Sequence, residues 1–148
     1  MTIFEALRLS HQTQRELSTK LIDTSGDTSE RQALFTLLKL ELAAHSVAEE
    51  RHFYIPLMQE DLGVDLSRHA IAEHHQMDEM VEELEDTDPS SPSWLVQAKK
   101  LAEKVHHHLQ EEEQKFFQMA GKLLSDTQKE QLSGDYLSTY EVHKNAEA

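Results

Sequence analysis

The sequence contains no cysteine, which excludes thiolate zinc sites, cysteine-ligated iron–sulfur clusters, thiol catalysis and disulfide scaffolds. Only four glycines and three prolines occur among 148 residues, so the chain has few breaks in regular structure. No apolar run approaches the roughly 20 residues that a membrane span requires, and the N-terminus lacks the charged and then apolar pattern of a signal peptide. These absences predict a cytoplasmic protein without a membrane partner.

Basic residues are also scarce, because 14 Lys and Arg stand against 28 Asp and Glu, for a formal net charge of −14 with neutral histidine. Such a surface repels phosphate backbones, so we expect no nucleic acid partner. The same charge favours a monomer or a weak dimer, and no protein partner is indicated. The length predicts a single domain over residues 1–148 with a core of its own.

The apolar residues recur with helical periodicity and nowhere alternate as in a strand. The predicted helices run from Ile3 to Ile22, Glu30 to Met58, Ser67 to Leu84 and Pro92 to Leu124. Gly63 is expected to end the turn before the third helix, and Ser91 before Pro92 is a typical helix start.

Four long helices joined by short loops predict an all-α fold, an up-down-up-down four-helix bundle over about residues 3–124. A polar segment over about residues 127–143 predicts a short C-terminal helical extension. Because this segment is polar, we expect its deletion to lower stability only modestly.

Ten histidines are present, and two of them stand in the pattern H-x-x-x-E, as His45 with Glu49 and His108 with Glu112. A separation of four places both side chains on one face of a helix. The pattern repeats with His11: a shift of 63 residues carries His11, His45 and Glu49 onto positions 74, 108 and 112, which hold the same residue types. Each predicted helix therefore contributes one histidine.

These side chains interrupt the apolar stripe of each helix near its middle, which predicts that they are buried together. The six candidate metal ligands are His11, His45, Glu49, His74, His108 and Glu112. His108 is preferred to His107 because His107 shares its face with Lys104 and Glu111, and the same test prefers His74 to His75. Glu50 and Glu113, one residue past each pair, are less favoured, either as outlying ligands or as partners of the ligands. The remaining histidines are predicted to be solvated: His52, His69, His75, His106, His107 and His143.

Burying four imidazoles and two carboxylates without partners would cost several kcal/mol per group, and bound cations remove that cost. Nitrogen and oxygen ligands without sulfur disfavour structural zinc, imidazoles disfavour calcium and magnesium, and the mixture suits iron. Six ligands divide over two iron ions (Fe2+/Fe3+), with two histidines on each, Glu49 and Glu112 bridging, and an oxo or hydroxo bridge. Manganese or a mixed pair is the alternative.

The order His, His-x-x-x-Glu, His, His-x-x-x-Glu over about residues 3–124 resembles the hemerythrin-like domain, the histidine–glutamate cation-binding family. Glu49-Glu50 with Pro56, and Glu112-Glu113 with Phe116-Phe117, also match its pattern. The resemblance implies a non-haem di-iron centre that binds O2, NO or a peroxide, with terminal histidines and bridging glutamates.

Two features of the sequence depart from known members of this family, and the first of them disfavours reversible oxygen carriage. Oxygen carriers of the family have a fifth histidine, whereas Ala70 and Asp78 stand four residues either side of His74. Members that repair iron–sulfur clusters carry an N-terminal segment with cysteines, and nothing of that kind precedes His11. The first hypothesis is therefore a di-iron protein that binds or senses O2, NO or peroxide, or handles iron under oxidative or nitrosative stress.

Two other hypotheses stay open at this point. One is a di-iron enzyme that reduces peroxide or NO or donates iron for cluster repair, although no catalytic base beyond the ligands stands out. The other is a metal-free helical module that binds a partner protein. The sequence does not place Tyr54, Tyr136 and Tyr140 relative to the centre.

Overall fold

The computed structural model describes residues 1–147, and every regular element in that range is helical. Helices α1 to α5 span Ile3–Leu21, Ser29–Glu49, Asp61–Glu85, Pro92–Glu111 and Asp126–Glu147. Two of them continue without a break: α2 through a π-helical turn (Glu50–Tyr54) and a last turn (Ile55–Leu57), and α4 through a π-helical turn (Glu112–Phe116) and the segment Phe117–Leu123. The predicted all-α bundle is confirmed.

Each helix start follows from its local sequence. Thr2 caps α1 by accepting a hydrogen bond from the backbone N–H of Glu5, whose carboxylate accepts from the Thr2 backbone in return. Thr28 accepts from the N–H of Arg31 at the start of α2, and Ser91 caps α4 just before Pro92, as predicted. None of the helices within residues 1–147 combines the length and apolar character needed to cross a bilayer.

The core consists of two apolar clusters with a polar layer between them. Helix α1 packs against α2 and α4, and α3 packs against α4. One cluster includes Ile3, Phe53 and Phe116, and the other includes Leu38 and Leu101. Along each of the first four helices, a buried histidine separates residues of one cluster from residues of the other. The fold therefore places the histidines at a common level.

Helix α3 begins at Asp61, six residues before the predicted start at Ser67, and Gly63 lies inside it. The prediction was wrong because Gly63 serves a close helix contact here and not a turn. A Cβ added at Gly63 would lie 2.2 Å from the Leu57 carbonyl oxygen. Ser67 is buried, and its hydroxyl donates to the Tyr54 carbonyl at 3.4 Å.

We expect Gly63→Ala to destabilise the protein by about 1–3 kcal/mol, because the added methyl must displace backbone atoms of Leu57. Chemical denaturation of both proteins measures the difference. Gly134→Ala in α5 is the matched control, since no atom lies within 4 Å of its added Cβ. That control is expected to gain about 0.5–1 kcal/mol. Equal effects at the two positions would contradict this reading of Gly63.

Helix α5 is longer than the predicted extension, and it is part of the core. It lies against α1 and α2, where Tyr136 is fully buried in the first apolar cluster. Leu132, Leu137 and Tyr140 pack against the same cluster. The sequence did not indicate this role because α5 has few inward apolar residues and many polar residues on its solvent side.

Candidate metal centre

The structure brings the four predicted histidines together. His11, His45, His74 and His108 are at most 3% exposed. Neighbouring rings contact each other, with centroids 5.1 Å apart for His11 and His45, 6.3 Å for His45 and His74, and 5.0 Å for His74 and His108. Each ring comes from a different helix, so the site depends on the complete bundle.

Both predicted glutamates lie among these rings and face histidines of both halves of the chain. Glu49 Oε1 is 3.1 Å from His45 Nε2 and 3.1 Å from His74 Nε2. Glu112 Oε1 is 3.3 Å from His11 Nε2, and its Oε2 is 3.4 Å from His108 Nε2. A carboxylate that reaches histidines on two sides has the position that a bridging ligand requires.

The opposite nitrogen of each ring is held by an outer partner. Glu113 holds His11 Nδ1 at 2.7 Å, and Glu50 holds His74 Nδ1 at 3.0 Å. Glu73 holds His108 Nδ1 at 2.9 Å. Such contacts fix the orientation and tautomer of a metal-binding imidazole and leave Nε2 free to coordinate. Glu50 and Glu113, considered as outlying ligands, contact the centre only through these histidines.

The fourth histidine, His45, has a different outer partner, which helix α5 supplies. By the 63-residue repeat, the position of Glu73 corresponds to Ser10, whose side chain is too short to replace the carboxylate. The Tyr136 hydroxyl fills this place, 2.8 Å from His45 Nδ1 and 2.5 Å from Ser10 Oγ. Helix α5 thus completes the support of the centre on the side where the repeat alone does not.

Tyr54 lies inside the centre. Its hydroxyl donates to Glu49 Oε1 at 2.6 Å, contacts Glu112 Oε2, and lies 3.4 Å from His74 Nε2. Burial and the charges of the two glutamates raise the pKa of Tyr54 well above its ordinary value, so the phenol keeps its proton. By the repeat, Tyr54 corresponds to Phe117, so only one half of the bundle provides this hydroxyl.

The two π-helical turns begin at Glu50, directly after Glu49, and at Glu112, so their starts differ by one residue in the repeat. In each turn an N–H bonds to the carbonyl five residues earlier, from Ile55 to Glu50 and from Phe117 to Glu112. A π-turn widens the helix by one residue and is frequent at functional sites. Here it allows consecutive glutamates to serve the centre, one at its middle and one on an outer nitrogen.

The two central glutamates repel each other, because both carboxylates are buried and close together. Burial and the charge of Glu49 raise the pKa of Glu112 to about 7. Burial disfavours the imidazolium of His74, but hydrogen bonds to Glu49 and Glu50 outweigh it and raise its pKa to about 10. Burial likewise opposes ionisation of Glu73, yet the hydrogen bonds from His108 and Lys104 lower its pKa to about 2. The centre therefore attracts positive charge, as protons or as metal ions.

Four of the seven buried side-chain atoms that lack a hydrogen-bond partner within the described residues belong to this centre: His11 Nε2, His108 Nε2, Glu49 Oε2 and Glu112 Oε1. Orphaned buried groups of this kind are rare in native proteins and require an explanation. Ligand atoms of His11, His45 and Glu49 lie within 4.8 Å of one another, as do those of Glu49, His74 and His108. This donor set is compatible with a metal site, and Glu49 is common to both groups.

Comparison with known families agrees with this chemistry. The model of the hemerythrin HHE cation-binding domain matches residues 2–120. The chain belongs to this family. Metal binding is the property that the family's description carries, and the buried histidine and glutamate clusters of this HHE domain fit it.

Two individual proteins are similar to this HHE domain. The crystal structure of a hemerythrin HHE cation-binding domain-containing protein from Mycobacterium kansasii superposes with a TM-score of 0.89, at 24% identity over 99% of this chain and 89% of that one. A DNA nickase from Nostoc sp. is 28% identical over 136 residues, which is 92% of this chain. The chain spans 38% of the nickase's length.

Sequence reasoning found six of the central residues and missed three. Glu73, Tyr54 and Tyr136 contact the centre, but an aromatic or acidic residue on a helix carries no distinguishing pattern alone. The repeat could have drawn attention to two of them, since it pairs Glu73 with Ser10 and Tyr54 with Phe117.

The other histidines lie outside the centre. His69, His75 and His107 are exposed, as predicted, whereas His52, His106 and His143 are half-buried and not solvated. His52 is half-buried, with Nε2 2.8 Å from the Thr139 hydroxyl of α5. His69 is exposed, yet its Nε2 lies 3.4 Å from Glu73 and 3.3 Å from Glu111.

Proposed function

We propose that this HHE domain holds two iron ions between its six central residues and binds or senses a small ligand such as O2, NO or a peroxide. His11 and His45 would serve one ion, His74 and His108 the other, and Glu49 and Glu112 both. The observation that carries the proposal is the set of four buried nitrogen and oxygen atoms that converge without hydrogen-bond partners. Bound iron would supply open coordination positions and one-electron chemistry.

The surrounding residues would give this centre a dry, rigid environment. Phe53 and Phe116 are buried on one side, and Met77 and Val105 belong to the apolar cluster on the other. The Phe117 ring stacks on His11 with centroids 5.8 Å apart. Apolar walls limit the access of water and so slow the loss of charged products from a bound small molecule. This arrangement supports ligand binding at the centre.

The donor chemistry favours iron or manganese over calcium, magnesium and structural zinc. Imidazole nitrogen combined with carboxylate oxygen suits iron and manganese, whereas calcium and magnesium prefer oxygen alone. The absence of a thiolate in the sequence leaves no soft ligand for a structural zinc site of the common kind. Manganese, or a mixed pair, is the alternative occupant.

We infer that DNA nicking does not extend to this chain. It spans 38% of the nickase that it matches, and a net charge of −14 opposes contact with a phosphate backbone.

The test is the metal content of the protein after growth with ample iron. We expect about two irons per chain in the wild type and a marked loss in His45→Ala, because His45 faces Glu49 from inside the centre. His107→Ala is the matched control on α4, since His107 is exposed and its Nε2 pairs with Glu111 at 3.1 Å. Elemental analysis decides the matter: metal content near zero in the wild type would reject the proposal and favour a metal-free helical module.

Turnover of peroxide or NO is a second candidate function, and the position of Tyr54 favours it. Reduction of such a molecule consumes protons, and the Tyr54 phenol keeps its proton while contacting both central glutamates. A buried donor at this point could deliver a proton to a bound ligand by way of Glu49 or Glu112. Passive binding requires no such donor.

We expect Tyr54→Phe to keep its metal and lose turnover, by about 10²-fold, because it removes one proton donor and preserves the ring. Steady-state consumption of hydrogen peroxide and of NO by the iron-loaded protein measures this, with an added chemical reductant that supplies the electrons of each reduction. Tyr140→Phe is the control, since the Tyr140 hydroxyl contacts Glu41 away from the central glutamates. If both variants consumed substrate like the wild type, Tyr54 would have no part in turnover.

A further inference from the structure

A small cavity lies between α3 and α4 and is lined both by residues of the buried centre and by residues nearer the surface. It has room for about one water molecule. His108 and Glu112 line its inner end, and each carries a buried polar atom without a hydrogen-bond partner. Leu66 and Ala70 form part of its wall. His69, Glu73 and Glu111 also line it, toward the surface.

These three outer residues have the spacing of a cation site. Ligand atoms of His69, Glu73 and Glu111 all lie within 4.8 Å of one another. His69 is 55% exposed at its side chain, Glu111 is 25% exposed and Glu73 is 6% exposed, so the group descends from solvent into the protein. Glu73 also holds His108 Nδ1 at 2.9 Å, which links the outer group directly to the centre.

The other half of the bundle lacks both the cavity lining and the polar group. By the 63-residue repeat, His69, Glu73 and Glu111 correspond to Ala6, Ser10 and Ala48. These three residues are buried, and Ala6 and Ala48 share a cluster with Tyr136 of α5. Leu7 stands where the second half has Ala70, so a larger side chain fills the matching space. On one side of the centre, α5 covers these small buried residues. On the side related by the repeat, between α3 and α4, the small cavity is lined by polar side chains.

We propose that His69, Glu73 and Glu111 form a loading site that takes a divalent transition-metal cation such as Fe2+ from solvent and passes it to the buried centre. One imidazole and two carboxylates are suitable ligands for that class of ion. Two carboxylates at the mouth of a narrow cavity also raise the local concentration of cations. The inference rests on the proposed function, since it supplies the metal that the centre holds.

Lys104 competes with the cation at this site. Its ammonium lies 3.1 Å from Glu73 Oε2 and must move away before a metal can use that oxygen. Lys104→Gln is therefore expected to accelerate loading, which is the opposite effect from removing a ligand.

The experiment follows Co2+ uptake by the metal-free full chain in a stopped-flow instrument, with the absorption of protein-bound Co2+ as the signal. His69→Ala/Glu111→Gln removes two loading ligands but leaves Glu73 in place to orient His108. We expect loading to slow by about tenfold, with the final number of ions per chain unchanged. His75→Ala/Glu79→Gln is the matched control, an exposed histidine–glutamate pair on the same helix, 3.1 Å apart.

A second variant tests the route itself. Ala70→Leu introduces the side chain that the closed half has at Leu7, and it should also slow loading without changing the final count. Equal loading rates in the ligand variant, the control and the wild type would overturn the loading site while leaving the proposed function intact. A lower final count in the ligand variant would overturn it too, because the residues would then hold resident metal. A wild type that binds no Co2+ would overturn both proposals.

Discussion

The Glu112→Gln variant is expected to lose metal binding while its metal-free form stays at least as stable as the metal-free wild type. Glu112 Oε1 and Oε2 face His11 and His108, so the variant removes a negative ligand that both halves of the centre share. Loss of outer support weakens metal sites by 10–100-fold, and loss of a direct ligand is expected to exceed about 100-fold.

The stability of the metal-free form follows from electrostatics. Burial and the neighbouring charge of Glu49 make the Glu112 carboxylate unfavourable without a cation. A neutral amide of the same shape relieves this repulsion. With cation at 100 times its dissociation constant, the wild type should gain about 2.7 kcal/mol and the variant almost nothing.

Thermal unfolding with and without added Fe2+ or Mn2+ measures both effects. Glu103→Gln, an exposed glutamate on α4, is the matched control and should behave like the wild type. A Glu112→Gln protein that gained the same stability from metal would show that this carboxylate is not a ligand. A strongly destabilised metal-free variant would show that the carboxylate has a structural role of its own.

Removal of α5, by ending the chain after Leu124, is expected to abolish cooperative unfolding. Tyr136 is fully buried in the first apolar cluster, Leu132 and Leu137 are partly buried against it, and full burial of a side chain of this size contributes about 1.5–3 kcal/mol. Together they contribute on the order of 5 kcal/mol, which is comparable to the net stability of a typical domain. This outcome is opposite to the modest loss expected from the polar sequence of the segment. Urea denaturation followed by circular dichroism measures it, and a truncated chain with the wild-type midpoint would contradict it.

Tyr136→Phe separates the packing of α5 from its hydrogen bond to His45. The ring remains, so the fold should persist, while the loss of the hydroxyl frees His45 Nδ1. We expect metal affinity to fall by about 10–100-fold in competition with a chelator. Thr139→Val is the matched control, because it breaks the hydrogen bond between α5 and His52, which is not one of the central residues. Equal affinities in the two variants would leave α5 without influence on the centre.

The asymmetry between the two halves is a result that helical periodicity could not predict. The repeat places like residues at like positions, yet Tyr54 has no hydroxyl counterpart and Glu73 has no carboxylate counterpart. The effect of such a difference on the centre depends on which side chains from other helices lie close to the substituted position. Ser10 is supplemented by a tyrosine 126 positions away along the chain.

Local patterns in the sequence were sufficient for the helices, for the bundle and for the choice of six inward histidines and glutamates, because a helix turns its side chains by a constant angle per residue. Local patterns do not determine how those helices are placed against one another, since contacts between distant segments decide it. The early start of α3, the wide turns after the glutamates, the position of Tyr54 and the closure of one face by α5 all arise from such contacts. They became visible only when the helices were packed together.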